Sequence, residues 1–364
     1  MNFETPLVLV TGAAGWLGYS LVKALVEGLA DWPHLSHPQA DLTIRCLLLP
    51  GTDEAPLKAL SDRVEIIYGD LRHLEDCDRF CQGADEAILF HTAGIIHPKR
   101  TADFYQINVE GAKNLLTAAS RAQIRRAVIM SSNSPCGCNP HPDHRFDETS
   151  AYHPYMGYGR SKMQMEKAVK AFFKSGAIET VTIRAPWFYG PYQPPRQTLF
   201  FEMIRDGKCP IVGDGNNLRS MAYIGNLCQG LILAATTPGA NGQTYWIADE
   251  RPYSMNEVID TVERLLETEF QQTCQHTRMQ LPGVASELAL AVDAGLQAIG
   301  LYHQKIHVLS EMNKTIACSV AKAQKELNYQ PTIALEEGMR RSLQWVYRGE
   351  ISAERSRDCA TASV

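Results

Sequence analysis

The chain has 364 residues, 45% hydrophobic and 21% charged, enough apolar mass for one large α/β domain or two modest ones. A formal net charge of −5, with no basic run, argues against a nucleic-acid partner. The first residues read as strand rather than as a charged and then apolar leader, so no secretory signal is expected and the expected setting is cytoplasmic. Ten cysteines offer two close pairs, Cys77/Cys81 and Cys136/Cys138, and no four-ligand spacing, so free thiols and no metal site are expected.

The apolar run Leu7–Val10 leads into glycines at Gly12, Gly15 and Gly18, then into Tyr19–Val26 with apolar residues at helical spacing. A strand, a glycine turn and a helix in this order suit a phosphate ligand. Gly12 makes the tight turn, Gly15 lets backbone approach a pyrophosphate, and Gly18 lets the helix pack on the strand. The free N–H groups at the helix start then meet the phosphates. Residues 28–41, rich in proline and histidine, are long for a simple connection and read as a surface excursion. Strand-like runs follow at Ile44–Leu49, Val64–Tyr68, Ala87–His91, Ala127–Ser131 and Val181–Arg184, alternating with helical stretches. The alternation predicts right-handed crossovers, a parallel doubly wound sheet, and a ligand crevice at the carboxyl ends of its strands.

Ser132 closes the fifth run, and a polar, turn-rich loop from Pro135 to Asp147 follows, expected to rim a pocket. Tyr158 and Lys162 lie four apart and so share one helical face. An ammonium beside a phenol lowers a pKa that starts near about 10. A phenol so tuned exchanges a proton with a secondary alcohol or a ketone near neutral pH, and the Ser132 hydroxyl can bond the same oxygen. His91, at a strand end, is assigned no chemistry. After Pro191 the sequence predicts a helix over Leu199–Asp206, a short strand over Pro210–Val212, and a helix over Met255–Glu267 capped by Ser254. Pro282–Leu301 is long and apolar, but Glu287 and Asp293 within it disfavour a bilayer span. A helix packed on the substrate lobe is the first reading of it and a membrane-surface helix the alternative. Residues 346–364 are expected to form a flexible tail.

Together the Gly12–Gly18 turn and the Tyr158/Lys162 pair resemble the extended branch of the short-chain dehydrogenase/reductase superfamily, over about residues 6–345. Gly69-Asp70-Leu71 resembles its adenine-contacting turn. His91-Thr92-Ala93-Gly94 resembles the loop beneath the cofactor, and Asn108-Val-Glu-Gly111 the motif whose asparagine supports the active-site backbone. Arg184-Ala-Pro186-Trp-Phe-Tyr-Gly-Pro191 resembles the segment bordering the nicotinamide. The resemblance implies a Rossmann-type domain over residues 1–183, rejoined by residues 222–249. A smaller, mostly helical C-terminal lobe over 184–221 and 250–345 would bind substrate. It implies NAD as cofactor, with NADP left open. Contacts would come from Gly12, Gly15, Trp16, Leu17, Gly18, Asp70, Leu71, Thr92, Ala93, Gly94, Pro186, Tyr158 and Lys162. Leu48-Leu49-Pro50-Gly51, at the end of the second strand, carries neither the acid nor the base that usually chooses between the two cofactors.

In the family pattern Ser132 polarises the substrate oxygen and Tyr158 moves the proton. Lys162 tunes the phenol and holds the ribose, and Asn108 completes the relay. A small-molecule substrate and a homodimer are expected. Asn133-Ser134 stands where the 4,6-dehydratases carry Asp-Glu, which disfavours dehydration. Trp187 stands where sugar-nucleotide epimerases carry an asparagine, which favours an apolar pocket. Arg219 resembles the arginine that binds the diphosphate in those epimerases. Asn133, Trp187, Tyr192, Arg219 and Tyr223 are the expected substrate contacts. The preferred expectation is an oxidoreductase acting on a fairly apolar alcohol or ketone, in the manner of 3β-hydroxysteroid dehydrogenases and ketone reductases. Sugar-nucleotide epimerisation is the alternative, and a non-catalytic NAD(P)-binding sensor a second one.

Overall fold

The structure is a computed structural model and describes residues 1–347. Its first half alternates strand and helix in the predicted order. The strands are β1 (Leu7–Thr11), β2 (Thr43–Leu48), β3 (Val64–Tyr68), β4 (Ile88–His91), β5 (Arg126–Met130) and β6 (Glu179–Arg184). Between them lie α1 (Trp16–Glu27), the single turn α2 (Ala55–Lys58), α3 (Leu74–Cys81), α4 (Thr101–Tyr105), α5 (Ala112–Arg121) and α6 (Met156–Lys174). A wide helical turn, Gln106–Gly111, joins α4 to α5. Each observed strand begins and ends within two residues of its expected bounds, because each is a largely apolar run; all but the edge strand β3 are buried completely or nearly so.

The second half supplies β7 (Trp187–Tyr189), α7 (Pro195–Arg205), β8 (Pro210–Val212), β9 (Leu218–Arg219), β10 (Met221–Tyr223), α8 (Ile224–Thr236), β11 (Thr244–Trp246) and β12 (Tyr253–Ser254). It continues through α9 (Met255–Phe270), β13 (Met279–Leu281), α10 (Val284–Ala298), α11 (Gln304–Glu311) and α12 (Ala321–Leu327), and ends in helical residues 335–347. Strand β11 returns to the main sheet, whose order is β11-β6-β5-β4-β1-β2-β3 with every neighbour parallel. The order turns between β1 and β4, so the crevice opens there at the strand ends. Ser254 caps α9 as expected, its hydroxyl accepting the Glu257 amide at 3.1 Å.

Residues 28–41 do lie at the surface, pinned by buried Trp32 and Leu35, and the Trp32 indole donates to the Gln330 carbonyl at 2.8 Å. Two expectations are revised. Pro282–Leu301 does form a helix, yet α10 packs through Ser286, Ala289, Asp293 and Gln297 and leaves Val284, Leu288 and Val292 exposed. Residues 346 and 347, expected in the tail, continue the last helix, and residues 348–364 lie outside the described part of the chain.

Candidate active site

The glycine turn is built as the spacing requires. Gly12 sits at φ 73°, and a Cβ there would lie 2.7 Å from the Ala93 amide nitrogen. A Cβ on Gly18 would lie 2.0 Å from the Gly12 carbonyl, so α1 can approach β1 only with glycine there. The Gly15 amide donates to the Gly12 carbonyl at 2.9 Å, and Gly15 begins α1 with no side-chain cap and no acid in the first turn. An uncapped helix start beside a backbone-only turn leaves its amides for an anion, which fits a dinucleotide pyrophosphate. Leu17 is buried behind it. The Trp16 indole donates to the Pro191 carbonyl at 2.7 Å and its ring lies 5.0 Å from that of Phe188, which ties the turn to the segment holding buried Pro186.

Further along the crevice, the Thr92 hydroxyl donates to the Thr11 carbonyl at 2.7 Å and the Ala93 amide to the Thr11 hydroxyl at 3.4 Å. Asp70 is fixed by Arg72 at 2.9 Å, which holds its carboxyl below the usual range, and buried Leu71 accepts from Asn114 through its carbonyl. His91 bonds Thr11 at 2.8 Å, and burial holds its pKa down to about 3. It is a neutral structural group.

Four candidate catalytic residues converge at the ends of β4 and β5 and on α6. Asn108 receives the Ile95 amide at 2.8 Å and returns a bond to the Ile95 carbonyl at 3.0 Å and to Ser161 at 3.2 Å. A Cβ on Gly94 would lie 3.2 Å from Asn108 Oδ1 and 3.3 Å from Lys162 Nζ, so a side chain there would crowd both groups. Lys162 Nζ donates to the Met130 carbonyl at 3.0 Å. Ser132 Oγ bonds Asn133 Oδ1 and Ser134 Oγ, both at 3.3 Å, at the top of β5.

One electrostatic expectation is corrected. The Tyr158 phenol is not lowered by Lys162. Burial pushes it up to about 12, partly offset by hydrogen bonding with Ser132 and reinforced by the Glu311 carboxylate. Burial also brings Lys162 down to about 8, against the opposing pull of Glu166. Loss of water outweighs the charge–charge attraction expected from the four-residue spacing.

The expected substrate residues divide. Asn133 is joined to Ser132, and Trp187 packs edge-on against Phe200 at 5.5 Å. Arg219 Nη2 donates to the backbone carbonyl of Glu311, the residue whose charge reaches Tyr158. Tyr192 and Tyr223 are directed elsewhere. Tyr192 packs on Tyr19 and Trp345, Tyr223 lies under Arg341, and both line a surface depression beside α1. The Pro135–Asp147 loop is fastened to residues 315–319 through Asn139 and Phe146, with Phe146 stacked on Trp246.

A polar cluster beside Tyr158 was missed. The Gly157 amide donates to Gln297 Oε1 at 2.9 Å, Gln297 donates to both oxygens of Asp293, and Asp293 bonds His307 Nδ1 at 2.7 Å. Tyr155 bonds Ser310 at 2.7 Å, and Phe104 packs on both Tyr158 and Tyr302. The available signal was Asp293 and Gln297, polar residues four apart on one face of an otherwise apolar helix. A second missed network lies beneath Ser132, where Glu166 accepts from Arg184, Ser131 and Tyr152.

The fold and this arrangement define an NAD-dependent enzyme of the extended short-chain dehydrogenase/reductase type. The chain belongs to the NAD dependent epimerase/dehydratase family, whose model matches residues 8–248. It is 52% identical over 346 residues to an uncharacterized protein, y4nL, of Sinorhizobium fredii, covering 95% of this chain and 96% of that one. It is 27% identical over 340 residues to a 4-hydroxy-2-methyl-3-oxo-4-farnesyl-3,4-dihydroquinoline-1-oxide ketoreductase of Stigmatella aurantiaca, covering 91% and 93% of the two chains. Among solved structures it resembles UDP-glucuronic acid 4-epimerase of Bacillus cereus, with a TM-score of 0.72 and 21% identity over 94% of this chain and 99% of that one.

Proposed function

We propose that the chain interconverts a secondary alcohol and a ketone on a fairly apolar small molecule, with Tyr158 as the proton donor and acceptor. NAD supplies the hydride acceptor or, reduced, the hydride donor. The Gly12–Gly18 turn and the α1 start would hold its pyrophosphate, Asp70 and Leu71 would flank the adenine, and Lys162 would hold the ribose. Ser132 would bond the substrate oxygen and fix the carbon beside it. In the reductive direction that oxygen gains the Tyr158 proton as its carbon gains hydride.

The observation that carries the choice of substrate class is the aromatic boundary of the site: Phe104 and Tyr302 beside Tyr158, and Trp187 with Phe200. Arg219 spends one N–H on the Glu311 carbonyl and keeps its remaining donors, so it does not by itself decide between the substrate classes. Val284, Leu288 and Val292 of α10 do not contribute to the aromatic boundary, since they are exposed. The similarity to a ketoreductase of a farnesylated quinoline oxide points the same way. The test is a thermal-shift panel with NAD(H), setting apolar ketones and alcohols against nucleotide sugars. Selective stabilisation by nucleotide sugars, lost in Arg219→Ala, would replace this reading with epimerisation.

A further inference from the structure

Helix α10 is inside out. Ser286, Asp293 and Gln297 are buried, whereas Val284 is 69% exposed, Leu288 66% and Val292 44%. These three recur every four residues and form one stripe, which Ile299 (72%) and Leu301 (49%) prolong beyond the helix end. A helix of a water-bathed domain ordinarily turns such a stripe toward the core. Here the inner side is taken by Ser286, Asp293 and Gln297, with Ala289 between them, and the Val284–Leu288–Val292 edge is left exposed.

Cations surround the far end of the stripe. Leu301 forms an antiparallel bridge with Arg100, and the Thr101 amide donates to the Gly300 carbonyl at 3.1 Å, which brings exposed Lys99 and Arg100 alongside. Exposed Lys305 lies three residues before Val308, itself 44% exposed, in α11. Among the described residues, none of these three cations is in an ion pair, while Glu287, the one exposed acid of α10, is neutralised by Lys314. Among the exposed groups of residues 99–100, α10 and α11, three cations stand against one acid that is already paired, on a chain whose formal net charge is −5.

We propose that this α10–α11 face seats the protein on an anionic lipid surface. The aliphatic stripe enters the headgroup–acyl boundary, and Lys99, Arg100 and Lys305 meet the phosphates. No described helix is long and apolar enough to cross a membrane, so the seat is superficial. A second copy of the chain is the other occupant to weigh. The 15 residues of α10 span about 22 Å. A stripe about 10 Å wide along that length offers on the order of 200 Å², against about 800 Å² per partner in a standard interface. A lipid surface needs no such area, because it adds headgroup attraction to a few inserted side chains. The docking does not depend on the substrate assigned above.

Vesicle flotation of the full chain tests it, using phosphatidylcholine with and without phosphatidylglycerol. The wild type should float with the anionic vesicles, weakly with the neutral ones, and less in high salt. Leu288→Glu/Val292→Glu should lower the bound fraction by about tenfold or more. Lys99→Glu/Arg100→Glu should abolish the preference for phosphatidylglycerol. Leu288→Gln provides a milder variant should the double one fold poorly, and must also weaken binding. Absence of wild-type binding, or unchanged binding by the Leu288 variants, overturns the proposal. So does a wild-type dimer in sedimentation velocity that Leu288→Gln dissociates without any vesicle binding, which would assign the face to a second copy.

Discussion

Gln297 holds the amide of Gly157, one residue before Tyr158, at 2.9 Å. The contact joins a helix more than a hundred positions downstream to the first turn of α6, just after Met156 enters the left-handed region at φ 52°. Asp293 grips Gln297 from behind and His307 grips Asp293, so the backbone one residue before the phenol is held by a buried polar chain within the α10–α11 pair.

Removing that grip should therefore act on chemistry more than on cofactor binding. Gln297→Ala leaves a buried amide without a partner, at a cost of about 1–3 kcal/mol. The expected outcome is a kcat lowered by about tenfold or more with the NAD Kd unchanged, since a small misplacement of a reacting group is costly. Gln297→Glu, which keeps the acceptor but sets a second carboxylate against Asp293, should lose stability as well. Single-turnover rates and cofactor titration for both variants check this. A Gln297→Ala enzyme with unaltered kcat would refute the positioning role.

Tyr158→Phe removes only the hydroxyl and should reduce turnover at least a hundredfold while leaving NAD affinity almost unchanged. Lys162→Ala should damage both, since the ammonium is assigned to the ribose as well as to the site. Retention of more than about a tenth of the wild-type rate by the Phe variant would mean another group donates the proton.

The alkaline limb of ketone reduction should report Lys162. Its pKa lies at about 8, below the ordinary lysine value, because burial disfavours the ammonium. The charged form therefore dominates below pH 8 and is lost above it. Reduction should be flat at neutral pH and fall with rising pH from about 8, well before the phenol at about 12 begins to ionise. A rate that held steady to pH 10 would show that the ammonium is not required.

Much of this was legible in the chain. The glycine turn, the strand series and the Ser132, Tyr158 and Lys162 triplet are local patterns, and local geometry decides them: a run buried on both faces, a turn that a Cβ would block, a four-residue step on a helix. What was not legible depends on tertiary burial. The Tyr158–Lys162 spacing suggested a lowered phenol, yet both groups lose water and the phenol rises instead. Pro282–Leu301 suggested a helix packed on the substrate lobe, because its composition is apolar. Which side faces the protein was set by two polar residues, Asp293 and Gln297, that find partners only once α6 and α11 are in place. Tyr192 and Tyr223 sit in the right stretch of chain, but their rings turn toward α1 and the last helix.

The ion pair Glu166–Arg184 lies under Ser132, buried on both sides, with a contact of 2.7 Å. Glu166 also accepts from Ser131 and from Tyr152, so one carboxylate joins β5, α6 and β6 behind the site. Glu166→Gln strands a buried guanidinium and should cost about 3–5 kcal/mol. Adding Arg184→Met should recover part of that loss, because the stranded charge goes with it. The same carboxylate raises the Lys162 pKa, so Glu166→Gln should also move the alkaline limb of reduction to a pH below that of the wild type. Thermal unfolding of the three variants and a pH–rate profile of Glu166→Gln measure both effects. A double variant less stable than Glu166→Gln alone, or an alkaline limb that stays in place, would separate Glu166 from the roles given to it here.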